Sequence, residues 1–271
     1  MLENIRFPWR IPTMAGNRNS QFKRVPALDK CVAVLDLLAR AKGPLRIQDI
    51  STELGLNKST VFNMVYTLAD LQVLEHRPSG KFAFGTRLYL LGKAAGSKAE
   101  LIRTAHTYLQ EVAEQAHFSA FLGVRLGRKA VIIDKVDAGE GIRVSSEIGM
   151  RLPLIAGASG KAILAQLPES KLDEILASNG LRKFTPYTCV DRDKFKELIL
   201  KVREDGVAVD VEEYLEGIVA AAVPVNVHRK GVQAAIWAVG LKRRDSEAEL
   251  STLCERLKRI ASELDVRFGS F

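Results

Sequence analysis

The chain has 271 residues, 47% of them hydrophobic, and carries 40 Lys and Arg against 32 Asp and Glu, a net charge of +8. That apolar content is ample for one large domain or two modest ones. Cys31, Cys189 and Cys254 are odd in number and far apart, with no C-x-x-C pair among them, so neither a zinc site nor a disulfide framework is indicated.

The basic excess is uneven. Residues 1–90 hold 13 Lys and Arg against 7 Asp and Glu, and residues 91–271 hold 27 against 25. A polyanionic partner is therefore expected at the N-terminal end. The longest apolar runs, near Ile218–Val225 and Val232–Leu241, are too short for a bilayer and predict buried strands. No signal-peptide-like run opens the sequence, and a reducing, cytoplasmic setting without membrane association is expected.

Residues 1–23 mix Arg, Pro, Asn and Ser without a period and predict a flexible basic arm (Arg6, Arg10, Arg18 and Lys23, with the adjoining Arg24). Such an arm either reaches DNA phosphates or has no role. From Val25-Pro26, the spacing of Leu28, Cys31, Val32, Leu35 and Leu38 predicts an amphipathic helix ending before Gly43-Pro44.

Residues 46–65 predict two short helices broken at Gly55. Ile47, Ile50 and Leu54 share one face of the first, and Arg46-Ile47 is a weak start. Asn57 is expected to cap the second, whose Val61, Val65 and Leu68 point inward. Lys58, Ser59, Thr60, Asn63 and Thr67 are then left for a DNA major groove. Phe62 and Tyr66, four residues apart, are expected to pack on a neighbouring element. Residues 71–84 predict a strand, a Pro-Ser-Gly turn and a second strand, with Arg77, Ser79 and Lys81 at a tip suited to phosphate or minor groove. Three helices and a hairpin make a winged helix-turn-helix, placed at residues 24–86.

A helical connector with Leu88, Leu91 and Ala95 occupies residues 87–98. Residues 99–271 form the second domain. A helix from Leu101 to Ala116 is followed by strands Ser119–Leu126, Ala130–Val136 and Ile142–Glu147. Helices are predicted near Gly160–Gln166, Ser170–Ala177 and Asp191–Glu204. Strands Val207–Val211, Ile218–Val227 and Val232–Gly240 follow, the last two joined by a turn at His228–Gly231. A closing helix carries Leu250, Leu253, Leu257, Ile260 and Leu264 behind a Ser246/Glu249 capping box. The fold class is α+β, with a central antiparallel sheet in the second domain.

Three patches resemble the IclR family of bacterial transcriptional regulators. Gly55-Leu56-Asn57-Lys58-Ser59-Thr60-Val61 is similar to its G-L-P-K-S-T-V. Gly149-Met150-Arg151-Leu152-Pro153, then Gly160-Lys161-Ala162, match its G-x-R-x-P and G-K-A/L. Gly206 through Glu213, followed by Gly217 and Ala221-Ala222-Val223-Pro224, is the third. The resemblance runs from Val25 to Phe268 and implies a winged helix-turn-helix, a linker helix and a GAF/PAS-like effector-binding and oligomerisation domain. It also implies homodimers that pair into tetramers on double-stranded operator DNA. The function so implied is that of a ligand-responsive transcriptional repressor of a catabolic operon.

By that resemblance Val144, Leu152, Ala158, Ser159 and Asp210 line a small-molecule effector site, with Ala220, Trp237 and Val239 on the last two strands. Some relatives carry Ser or Cys on those strands, so a more apolar pocket and an aromatic or bulky apolar effector are expected. Asn63 stands where the family often has Arg, so a different operator is expected. Glu212 and Glu213 are expected at the surface or in subunit contacts.

Catalysis is not expected. Residues 157–161 lack the first Gly and the Ser or Thr after Lys of a phosphate loop. Ser159 lacks the second flanking Gly of a nucleophile elbow. His76, His106, His117 and His228 are too scattered for a metal site, and no cofactor is expected. A hydrolase using Ser159, with a DNA-binding appendage, is the alternative, as is an architectural DNA-binding protein without effector.

Overall fold

A computed structural model describes residues 25–94, 97–139, 144, 146–178, 180–226, 232–243 and 246–268. The basic arm with Arg24 and the turn at His228–Gly231 lie outside the described residues. The chain divides into two compact units between Ala94 and Ala95.

The first unit runs α1 (Pro26–Arg40), β1 (Leu45–Arg46), α2 (Ile47–Leu54), α3 (Lys58–Asp70), β2 (Leu74–Arg77), β3 (Lys81–Phe84) and α4 (Thr86–Ala94). Val34 and Leu38 of α1, Ile50 of α2, Val61 and Val65 of α3, and Leu74 and Phe82 of the hairpin form its core. A spacing of four puts each α1 and α3 pair on one helix face. Burying a side chain of this kind contributes roughly 1.5–3 kcal/mol.

Gly55 follows α2 with φ 63°, the left-handed conformation that suits glycine. Asp49 secures the start of that helix by accepting from the Arg46 N–H at 2.9 Å, since an arginine side chain has no acceptor to offer. Asn57 occupies the N-cap of α3 in extended backbone, but its side chain makes no capping bond, contrary to expectation. Its backbone carbonyl starts the helix, accepting from Val61 N–H at 3.0 Å. The hairpin is joined by β1 in an antiparallel sheet of order β1-β3-β2, with Phe82 opposite both Leu45 and His76.

The second unit contains α5 (Ser97–Ala116), β4 (Ser119–Leu126), β5 (Lys129–Val136), β6 (Arg151–Pro153), α6 (Gly157–Leu164), α7 (Glu169–Ser178), α8 (Arg192–Asp205), β7 (Ala208–Val211), β8 (Ile218–Asn226), β9 (Gln233–Leu241) and α9 (Ser246–Phe268). Its strands form a 6-stranded antiparallel sheet ordered β6-β5-β4-β9-β8-β7. The continuous apolar runs of β4, β8 and β9 follow from burial on both faces. Ala120, Leu122, Val219, Val223 and Ile236 pack with α5 and α9 on one side. Phe121, Ala220, Ala222, Ala235 and Trp237 pack with α6, α7 and α8 on the other. The period of two along each strand sorts neighbours to opposite faces.

Three local expectations are corrected. Of the predicted strand Ile142–Glu147, the described residues Val144, Ser146 and Glu147 lie outside any strand, and β6 takes the sheet edge beside β5. Gly149 explains the shift: at φ 88° it turns the chain back, donating its N–H to the Ile132 carbonyl at 2.7 Å. The helix predicted at Gly160–Gln166 begins at Gly157 and ends at Leu164. Ser246 does not form the predicted box with Glu249, because its hydroxyl oxygen accepts from the Arg243 N–H at 2.5 Å.

Candidate functional site

The outward face of α3 gathers the first group of predicted contacts. Val61 and Val65 are buried, while Lys58, Ser59, Asn63 and Thr67 are exposed and Thr60 is half-buried. Ser59, Asn63 and Thr67 fall four apart, in one row. Thr67 donates its hydroxyl to the backbone carbonyl of Asn63 at 2.7 Å. Phe62 and Tyr66 lie 4.4 Å apart between ring centroids, and Tyr66 meets Phe82 edge-on at 5.4 Å and His76 at 5.6 Å. Tyr66 braces α3 against the hairpin as expected, whereas Phe62 packs on Tyr66 of its own helix and stays half exposed.

On the hairpin, Ser79 is exposed and Lys81 half-buried. Arg77 is paired with Glu75 on its own strand. A phosphate would have to compete with that carboxylate. Lys58 and Lys81 form no ion pair among the described residues. The first N–H groups of α3 carry the helix's positive dipole end, and Lys58 adds a charge there, a combination that attracts phosphate.

The second group lies on the α6-covered face of the large sheet. Asp210 pairs with Ala220 across β7 and β8, and Ala220 pairs with Val239 across β8 and β9. Leu152, Ala158, Ala220, Trp237 and Val239 belong to one apolar cluster there. Trp237 stacks on Phe121 with centroids 5.7 Å apart and planes 20° apart. It fits because position 123 is glycine: a Cβ there would stand 2.5 Å from Trp237 Cη2. Ser159 is buried within α6, and among the described residues no base is hydrogen-bonded to it. Val144 is not part of this cluster. It lines a cavity of about 40 Å³ with Val239, His117, Ser119, Arg243 and Glu249.

Asp210 is 5% exposed. Its Oδ1 accepts from the Glu213 N–H at 2.7 Å, and its Oδ2 lies 3.2 Å from where a Cβ on Gly157 would be. Burial is the main cause that pushes its carboxyl up to about 6, with the Glu213 charge adding and the Glu213 N–H and Lys161 opposing. No side chain caps α6, so Asp210 sits beside a helix start whose N–H groups favour negative charge.

Several residues that hold this region have no such role readable from the sequence, although Lys161, Glu212 and Glu213 lie within the family-like patches. Lys161, which fits no phosphate loop, is buried and donates to Glu213 Oε1 at 2.6 Å and to the Val209 carbonyl at 2.5 Å. Thr185 and Thr188 donate to the carbonyls of Glu212 and Glu213, each at 2.6 Å. Glu212 takes φ 61°, and its carboxylate accepts from Gly217 N–H at 2.9 Å and from Lys242. Glu212 and Glu213 are half-buried and fasten the segment after β7 within the chain, a role beyond the surface or subunit contacts expected of them. The two threonines, three residues apart, are visible as a pair, but their carbonyl partners lie at least 25 residues away. His106 Nδ1 lies 2.9 Å from Asp134 Oδ2, between α5 and β5. Among the described residues no group of three His, Cys, Asp or Glu side chains is placed to hold a metal ion, and no helix is long and apolar enough to cross a membrane.

The geometry combines a braced helix with a polar outer row and, separately, a buried apolar sheet face bearing one titratable carboxyl. Comparison with known proteins addresses both. The family model "IclR helix-turn-helix domain" matches residues 27–78, and "Bacterial transcriptional regulator IclR C-terminal" matches residues 93–266. The HTH-type transcriptional regulator XynR of Escherichia coli (strain K12) is 31% identical over 246 residues, covering 90% of this chain and 98% of that protein. The HTH-type transcriptional repressor AllR of Salmonella typhi is 29% identical over 249 residues, covering 91% of each. A crystal structure of an IclR transcriptional regulator from Alicyclobacillus acidocaldarius superposes with a TM-score of 0.76 at 27% identity, covering 90% of this chain and 99% of that one.

Proposed function

The chain belongs to the IclR family of bacterial transcriptional regulators, and on that premise we propose that it is a ligand-responsive repressor sensing a small, apolar organic metabolite. It is a transcriptional regulator with an N-terminal helix-turn-helix and a C-terminal effector-type domain. The single observation that carries the finer reading is the Asp210–Ala220–Val239 row. It sets one buried carboxyl at the edge of an apolar face that includes Trp237 and Phe121.

In this reading Lys58, Ser59, Thr60, Asn63 and Thr67 meet the major groove, and Ser79, Lys81 and Arg77 meet the flanking backbone. Arg77 must first exchange Glu75 for a phosphate. Leu152, Ala158, Ser159, Asp210, Ala220, Trp237 and Val239 surround the effector, with Val144 at its margin. The apolar face suits an aromatic ring, and the carboxyl suits a polar substituent able to share a proton or donate a hydrogen bond. Residues 24–86 act as the DNA-binding domain, 87–98 as the linker and 99–271 as the effector and oligomerisation domain, in a cytoplasmic homodimer or dimer of dimers. That the relative AllR bears the name of a repressor supports repression of an operon, here a catabolic one.

Ligand acts by differential affinity for DNA-competent and incompetent states. Tryptophan fluorescence of a Trp9→Phe variant, in which Trp237 is the sole tryptophan, tests the sensor half. Titration with aromatic and aliphatic acids should give a saturable change with one class. No change with any acid would overturn the assignment of this face.

A further inference from the structure

On the reading that α3 contacts DNA, we propose that this regulator selects adenine through Asn63, so that an A·T pair stands where Asn63 lands.

Guanine is read by Arg or Lys bound bidentately to O6 and N7, and adenine by Asn or Gln bound to N6 and N7. Helix α3, Lys58–Asp70, contains no arginine. Its only lysine is the first residue, five positions before Asn63. At about 100° per residue it lies about 140° round the helix from Asn63. Lys58 therefore sits at the flank, by the helix start, where phosphate is the better partner.

Asn63 lies directly opposite the buried Val61 and Val65 stripe and is exposed. Among the described residues its side-chain amide makes no hydrogen bond, so its carbonyl is open to an N6–H and its NH₂ to an N7. The neighbours in its row are less able to choose a base. Ser59 carries a hydroxyl that both donates and accepts, and Thr67 has committed its hydroxyl to the backbone carbonyl of Asn63 at 2.7 Å, leaving the Asn63 side-chain amide untouched.

Precision of placement comes from the hairpin. Phe62 packs on Tyr66, which meets Phe82 and His76, so the helix face bearing Asn63 is fixed by a chain of rings. Phe62 is 49% exposed beside Asn63. Its ring can meet a thymine C5 methyl, a second preference for A·T over G·C.

The test is selection of binding sites by the full chain from a randomised duplex library, repeated with Asn63→Ala and Asn63→Arg. The wild-type chain should enrich an adenine at one position of each half-site. Asn63→Ala should lose the preference there and only there, and Asn63→Arg should move it towards guanine. In the enriched duplex, 7-deazaadenine at that position removes the N7 acceptor and should weaken wild-type binding about tenfold, a bidentate pair being worth of that order, while leaving Asn63→Ala unchanged. Enrichment of a G·C pair at the Asn63-dependent position, or identical preferences with and without Asn63, would overturn the proposal while leaving DNA binding intact. Failure to enrich any duplex, with binding insensitive to salt, would overturn the underlying DNA-contact reading instead.

Discussion

The Lys161 ammonium stands 2.6 Å from Glu213 Oε1, joining α6 to the segment after β7. Both groups are largely withdrawn from water, with side-chain exposures of 4% and 18%. The amine donates as well to the Val209 carbonyl at 2.5 Å. Desolvating two ions costs free energy that close contact offsets only when their hydrogen bonds are met, as they are here. Removing one partner is therefore the damaging change. Lys161→Met should destabilise the second unit by about 3 kcal/mol, and Lys161→Met with Glu213→Leu should recover much of that loss. Urea denaturation followed by Trp237 fluorescence, in the Trp9→Phe background, checks both. Equal losses in the single and double variants would contradict a coupled, buried pair.

Asp210 gives a pH signature. Its carboxyl is raised from 3.8 to about 6, chiefly by burial. Between about pH 4 and 6 the folded state therefore holds a proton that the unfolded state has released. Stability from this group is complete below about pH 4 and is lost as pH rises through about 6. Asp210→Asn keeps an oxygen for the Glu213 N–H and removes the titration. The fall in unfolding free energy from about pH 4 to 7 should shrink by about 2–3 kcal/mol in that variant. Parallel stability profiles for the two proteins would show that the carboxyl is not held protonated.

Gly123 and Trp237 are mutually dependent. A Cβ at position 123 would meet Trp237 Cη2 at 2.5 Å, Cζ3 at 2.7 Å and the Val131 carbonyl at 2.8 Å. Because one contact is backbone, the indole must move and the strand cannot fully yield. Gly123→Ala should cost about 1–3 kcal/mol and shift the Trp237 emission. An unchanged spectrum and melting temperature would refute this packing.

Lys58 and Arg77 should differ although both are cations on the DNA-contact unit. Lys58 has no ion pair among the described residues, whereas Arg77 is held by Glu75. Lys58→Ala should weaken binding to every duplex alike and lower the salt slope by about 1. Arg77→Ala should have a smaller effect than Lys58→Ala, and Glu75→Gln should strengthen binding. Anisotropy titrations over a range of salt distinguish these results.

The sequence is informative wherever periodicity meets burial. Val61, Val65 and Gly55 mark the two-helix turn, and the apolar runs of β8 and β9 mark the centre of the sheet. Local chemistry is harder to see. Asn57 and Ser246 are good capping residues by type, yet one makes no cap bond and the other is engaged by Arg243. Around Ile142–Glu147 the β-rich composition gives no hint that Gly149 turns the edge pairing over to residues 151–153. The network around Asp210 is illegible for a different reason. Its partners Lys161, Thr185, Thr188 and Glu213 are brought together only by the crossing of α6, the 180–190 loop and β7. No spacing rule links them. Trp237 can be named from its strand position, but its stacking on Phe121 and its dependence on Gly123 need the cross-strand register.

Operator binding by the full chain, followed by fluorescence anisotropy on duplex DNA from upstream of its own gene, decides most between a ligand-controlled regulator and its alternatives. Titrations are run at two salt concentrations and in the presence of aromatic and aliphatic acids. Salt-sensitive binding is expected, with an affinity that one class of acid changes by roughly fivefold or more, the scale of ordinary allosteric coupling. Unchanged affinity with every acid, including one shown by fluorescence to occupy the Trp237 face, would contradict ligand control of DNA binding.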